Sequence, residues 1–157
     1  MKPDTAMHTI LVTGACVAGG LLSGPTLGAA APNLSPTDLK AVLAAAGLTE
    51  RNGQWLDACD RPTEPQVDVM DLNGDGKPEV FVSVSGTCYG NTGVNLSLLI
   101  QDKQGRWQDN FGFPGVYRLL GTRHRGYPDI EIGGPGFCFP VWRWNGSRYN
   151  IFKRCER

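Results

Sequence analysis

The sequence is poorest in the residues that carry out chemistry. Of its 157 residues only two are histidine, His8 and His124, and neither a G-x-S-x-G, an H-E-x-x-H, a G-x-G-x-x-G nor a P-loop occurs. Nucleophilic hydrolysis, zinc hydrolysis and nucleotide chemistry therefore have no motif to start from. No C-x-x-C is present among the five cysteines, which removes the common zinc and thiol-exchange signatures. An excess of either charge is missing as well: 15 Lys and Arg balance 15 Asp and Glu. With no basic run and no alternation of basic and aromatic residues, nothing marks a nucleic-acid surface. Long apolar runs are also absent. The one worth reading, Thr9 through Leu22, is rich in glycine and short for a membrane span.

That run does fit a leader. Lys2 precedes it, Gly24-Pro25 breaks it, and Ala29-Ala30-Ala31 offers small residues for cleavage. A secretory signal peptide is expected over residues 1–31 and a single domain over 32–157, with a periplasmic location and no stable membrane span once the leader is gone. Cys16 departs with the leader and leaves Cys59, Cys88, Cys138 and Cys155, an even set suited to disulfides in an oxidising compartment. The expected pairing joins Cys88 to Cys138, each in a Gly-rich loop, and Cys59 to Cys155, tying the start of the domain to its end.

In the mature region Ser35-Pro36-Thr37-Asp38 reads as a helix start, with Leu39, Val42, Leu43 and Ala46 as an apolar stripe and Gly47 as the stop. Strand patterns follow. Val80, Val82 and Val84 alternate with Phe81, Ser83 and Ser85, predicting one buried and one mostly polar face, and Val94, Leu96, Leu98 and Ile100 alternate likewise. Phe111 to Gly115 reads as a Gly/Pro interruption, and Val116–Leu120 and Asp129–Ile132 as strands. Trp142 and Trp144 share a face as core packing, and Asn145-Gly146 reads as a two-residue hairpin turn before Tyr149 and Ile151. About seven short strands imply a mainly β fold, an antiparallel small sandwich or barrel, with one N-terminal helix.

The densest chemical signal is Asp71-Leu72-Asn73-Gly74-Asp75-Gly76-Lys77-Pro78-Glu79. Oxygens of Asp71, Asn73, Asp75, Glu79 and the Lys77 carbonyl recur at alternate positions, as they do where a loop wraps a hard cation, with Gly76 at the bend. The same residues also suit a tight turn without an ion, because Asn-Gly and Asp-Gly tolerate positive φ. Where an EF-hand closes with a bidentate Glu this chain has Val82, and its flanks alternate as strands. The loop resembles the calcium loops of integrin-type FG-GAP and VCBS repeats, which lie between strands; the resemblance implies calcium, held by Asp71, Asn73, Asp75, Lys77 and Glu79. A single copy occurs, so no propeller is expected.

Two Gly-rich loops, Gly86 to Gly93 and Gly133 to Pro140, each carry a cysteine and aromatics. Tyr89, Asn91, Phe137 and Phe139 are the candidate partner contacts, since stiff aromatic loops lose little entropy on docking. Candidates for catalysis reduce to His124 and the pair Asp129 and Glu131, whose spacing on a strand equally suits a solvent face opposite Ile130 and Ile132. Arg118, Arg123, His124 and Arg125 form a local basic cluster, read as a solvated loop. The leader, the single loop, the paired cysteines and the closing W-x-W-N-G-x-x-Y hairpin together resemble small periplasmic proteins of Gram-negative bacteria, some of which are immunity partners of type VI secretion effectors that cut peptidoglycan. That resemblance implies a non-enzymatic inhibitor bound to a cell-wall hydrolase. The alternative is a calcium-stabilised module that binds envelope glycan or another small ligand, with Trp142 and Trp144 as its platform.

Overall fold

The computed structural model describes residues 33–134, 136 and 138–155. The expected leader and Phe137 lie outside the described residues.

Ser35 Oγ accepts the Asp38 N–H at 3.0 Å and Pro36 takes the first helical turn, where its missing N–H costs nothing; together they start α1 (Pro36–Ala45). The helix buries Val42 and Leu43, while Leu39, assigned by spacing to the same stripe, stays 37% exposed. A small hairpin follows, β1 (Thr49–Arg51) and β2 (Gln54–Leu56), turned by Asn52 and Gly53, both at positive φ.

Two four-stranded antiparallel sheets make up the rest. The first holds β3 (Gln66–Met70), β4 (Glu79–Ser85), β5 (Val94–Gln101) and β6 (Trp107–Pro114), and the second β7 (Val116–His124), β8 (Tyr127–Gly133), β9 (Val141–Trp144) and β10 (Tyr149–Lys153), each ordered as in the chain. The fold is mainly β, as expected. It is a sandwich and not a barrel, since neither sheet closes on itself. The described strands number ten, more than the sequence pattern predicts, partly because the Asn52-Gly53 turn pairs two very short ones.

Phe81, Leu96, Leu98 and Phe111 of the first sheet pack on Tyr127, Ile130, Ile132, Trp144 and Tyr149 of the second. Phe81 stacks on Tyr117 across the interface with ring centroids 3.7 Å apart. On its other face the first sheet presents Val80, Val82, Val84, Leu99 and Trp107 to Val42, Leu43 and Leu48. So β4 is covered on both sides: Phe81 and Val80 are each 0% exposed. The predicted half-polar face is corrected accordingly, because helix and second sheet bury opposite faces of one strand.

Other expectations change where one strand meets the next. The segment read as an interruption is strand through Pro114, and Gly115 alone, at φ +146°, carries the chain from one sheet to the other. A Cβ at Gly115 would stand 2.5 Å from the Gly133 carbonyl oxygen, so only glycine fits this crossing. Arg118, Arg123 and His124 lie on β7 and not in a loop; Arg125 and Gly126, both at positive φ, form the turn. The closing hairpin turns over four residues, Asn145 N–H to Arg148 O at 3.0 Å, with the Asn145 side chain accepting the N–H groups of Ser147 and Arg148.

The cysteine pairing is also corrected. Cys59 bonds Cys88 and Cys138 bonds Cys155, with Cα separations of 6.0 and 5.9 Å. Strand pairing gives the reason for the second bond: Lys153 of β10 lies opposite Val141 of β9, so the residues just before β9 and just after β10 leave the sheet side by side. Two disulfides mark an oxidising compartment, and no described helix is long and apolar enough to cross a membrane.

Candidate binding surfaces

The Asp71–Glu79 loop connects β3 to β4 and is built around its own carboxylates. Asp71 accepts the N–H groups of Gly74 (2.7 Å), Asp75 (3.1 Å) and Gly76 (2.8 Å), and these, led by Gly76, hold its carboxyl below the ordinary range. Asn73 Oδ1 takes the Asp75 N–H, and Asp75 Oδ1 the Lys77 N–H, both at 2.8 Å. Glu79, 2% exposed, accepts from the Leu72 N–H at 2.6 Å and the Tyr127 hydroxyl at 3.1 Å. Burial raises its carboxyl to about 7, and the charges of Asp75 and Asp71 push the same way. A concavity of about 150 Å³ opens beside these groups, bordered by Asp75, Glu79, Asp102 and Tyr127.

The second sheet grips the loop from outside. Tyr127 OH receives the Asn73 amide at 2.8 Å, and Arg123 donates to the Leu72 carbonyl. Neither partner was legible in the sequence. Tyr127 stands 54 residues from Asn73, and no spacing rule reaches that far.

The two Gly-rich loops meet without a disulfide between them. Thr92 from the first and Gly133, Gly134 and Cys138 from the second line one groove of about 390 Å³, floored by Phe113 and Pro114 and closed by Cys155. Of the candidate contacts, Asn91 is exposed and Tyr89 is half-buried against the helix-side core. Phe139, 40% exposed, packs on Gly133 and borders a second hollow with Val116, Tyr117, Arg118 and Glu131. Thr92 and Phe113, which the sequence did not single out, are the side chains that shape the groove.

Asp129 and Glu131 share the face opposite Ile130 and Ile132, as their spacing requires, but each has its own arginine. Arg143 makes a two-point contact with Asp129 at 2.9 and 2.7 Å, Thr122 adds a bond at 2.6 Å, and Arg118 pairs with Glu131. Asp129 is 1% exposed, so the expected solvent face is here an ionic layer. His124 Nδ1 lies 2.8 Å from the Trp144 carbonyl, on a different contact from either acid. Trp142 and Trp144 pack inward: Trp142 contacts Phe111 and Phe113, and Trp144 contacts Tyr127 and Tyr149. Compared with protein-family models, curated proteins and solved structures, the chain matches none.

Proposed function

We propose that this chain is a periplasmic binding protein without catalysis of its own, an immunity or inhibitor protein that blocks a peptidoglycan-hydrolase effector of the type VI secretion kind. The observation that carries the reading is the apolar groove between the two Gly-rich loops, with each loop pinned by a disulfide to a separate part of the fold. A rim held so stiffly loses little conformational entropy when it enters a partner's cleft. Asn91 and Phe139 adjoin the lining residues Thr92 and Cys138 along the chain and are exposed beside the groove, which takes an apolar side chain of the partner. The glycan-binding alternative is disfavoured by the inward packing of Trp142 and Trp144, which leaves neither of these two rings free as a stacking platform.

Calcium belongs to the same proposal as a brace. The donor set is all oxygen, with the carboxylates of Asp71, Asp75 and Glu79, and hard divalent cations favour such sets. Three acids share one loop, and the negative charge that Asp75 and Asp71 bring to bear on Glu79 is what a dication offsets. When bound, calcium supplies positive charge and stiffness; the chain's own part is to hold the loop, through Tyr127, Asn73 and Arg123, against the second sheet.

The experiment is affinity capture from periplasm followed by a peptidoglycan-lysis assay of the captured protein. Stoichiometric chain is expected to stop lysis, and Phe139→Ala with Asn91→Ala to restore it. Captured material without lytic activity, or inhibition unchanged by the rim substitutions, overturns the reading.

A further inference from the structure

Strand β10 ends the second sheet, and no described strand lies beyond it. Its hydrogen-bonding phase can be read from the turn. Asn145 N–H bonds Arg148 O, so in the alternation of an antiparallel ladder Tyr149 opposite Trp144, and Ile151 opposite Trp142, are the pairs whose main-chain groups point away from β9. The outward N–H of Tyr149 is taken, at 2.8 Å, by the Asn110 side chain of β6. Ile151 is the next residue of this phase, placed just before the β-bulge that sets Lys153 opposite Val141, and no described side chain bonds its outward main-chain groups. Around it stand Ile151 itself, 45% exposed, and Phe152, 57% exposed, whose ring lies under the Arg143 guanidinium at 3.4 Å. Arg148, Lys153 and Arg154 are exposed too, and none of them is in an ion pair among the described residues.

An open edge of this composition has a definite complement. Free main-chain donors and acceptors in extended register accept another strand and little else. Lys153 on the strand, with Arg148 just before it and Arg154 just after it, repels a second copy of the same strand and attracts carboxylates. We propose that β10 is a docking edge for an extended segment of a protein partner that alternates acidic and apolar residues and joins the second sheet as its next strand. The main-chain bonds form to Ile151, the apolar side chains of the partner settle on Ile151, and its carboxylates, on the opposite face, meet Arg148 and Lys153. Asn110 sets one end of the site by occupying the preceding main-chain position. This surface is separate from the loop groove and stands whether or not the partner is a hydrolase.

The probe is a peptide of alternating Glu and Val, with alternating Lys and Val as its counterpart, titrated into isotope-labelled protein and followed by backbone amide spectra and hydrogen exchange. The Glu peptide is expected to bind, to shift and protect the Ile151 amide, and to outcompete the Lys peptide by at least about tenfold, as steering by charge predicts. Ile151→Pro removes the outward N–H without touching the β9 ladder and is expected to weaken binding about tenfold or more. If that variant does not fold, Lys153→Glu serves: it lowers affinity for the Glu peptide and raises it for the Lys peptide. Equal binding of both peptides, an Ile151 amide left unprotected in the complex, or a peptide-free dimer that Ile151→Pro dissolves would overturn the proposal.

Discussion

Single residues hold the two sheets in register with each other. Gly115 turns between them at a φ that other residues avoid, with the Gly133 carbonyl where a side chain would begin. Gly115→Ala is therefore expected to destabilise by roughly 2–4 kcal/mol, backbone strain and overpacking acting together, seen as a lower urea midpoint with an unchanged slope. Asp129 shows how charge acts at this scale. The contact with Arg143 is the chief cause that holds its carboxyl below the ordinary 3.8, with the Thr122 hydroxyl assisting against burial. A folded pKa below the unfolded one means that the stabilisation is complete above 3.8 and is lost as pH falls through the folded value. Asp129→Asn should cost roughly 2–3 kcal/mol at neutral pH, less than a fully buried pair because Arg143 is still 27% exposed. The gap between variant and native protein should close in strong acid; a gap constant across the titration would remove the ion pair from the account. The sequence placed Asp129 opposite Ile130 and Ile132, but its arginine is 14 residues away on the next strand and depends on β-register.

At the scale of elements, the β3–β4 loop was the most legible part of the chain, because its ligands, glycines and turn chemistry are all local. Its attachment to the second sheet was not. If calcium sits there, titration should raise the melting temperature: at a hundredfold excess over Kd the gain is about 2.7 kcal/mol, or roughly 5–10 °C. Asp75→Asn should abolish the response. Tyr127→Phe, which keeps the ring but loses the hydroxyl bonded to Asn73 and Glu79, should reduce it. No shift with calcium in the native protein would remove the ion from the proposal. The disulfides give a second test. They close sequence separations of 29 and 17 residues, each worth roughly 3–4 kcal/mol in the chain-entropy account. Peptide mapping of unreduced protein should recover Cys59 with Cys88, and Cys138 with Cys155. Replacing either pair by serine should lower the urea midpoint.

For the whole molecule the decisive feature is that the first sheet is covered on both sides. Helix, first sheet and second sheet share β4 and β5, so no layer keeps a core if its neighbour leaves. Unfolding should be a single transition, with tryptophan fluorescence and far-ultraviolet circular dichroism coincident. Phe81→Ala, at the centre of the sandwich, should lower stability by about 3–5 kcal/mol in both signals together. A split between the two probes would mean that the sheets stand independently.

Composition and local pattern were enough to settle a mainly β chain with one capped helix at its start, four cysteines fit for disulfides, and a carboxylate-rich turn between two strands, since each rests on residues only a few positions apart. Which cysteine meets which, which face of Val80 to Ser85 is buried, and that Thr92 and Phe113 line a common groove were decided by the stacking of two sheets. Those outcomes follow from strand order and register, quantities that depend on residues distant in sequence and that no local period encodes.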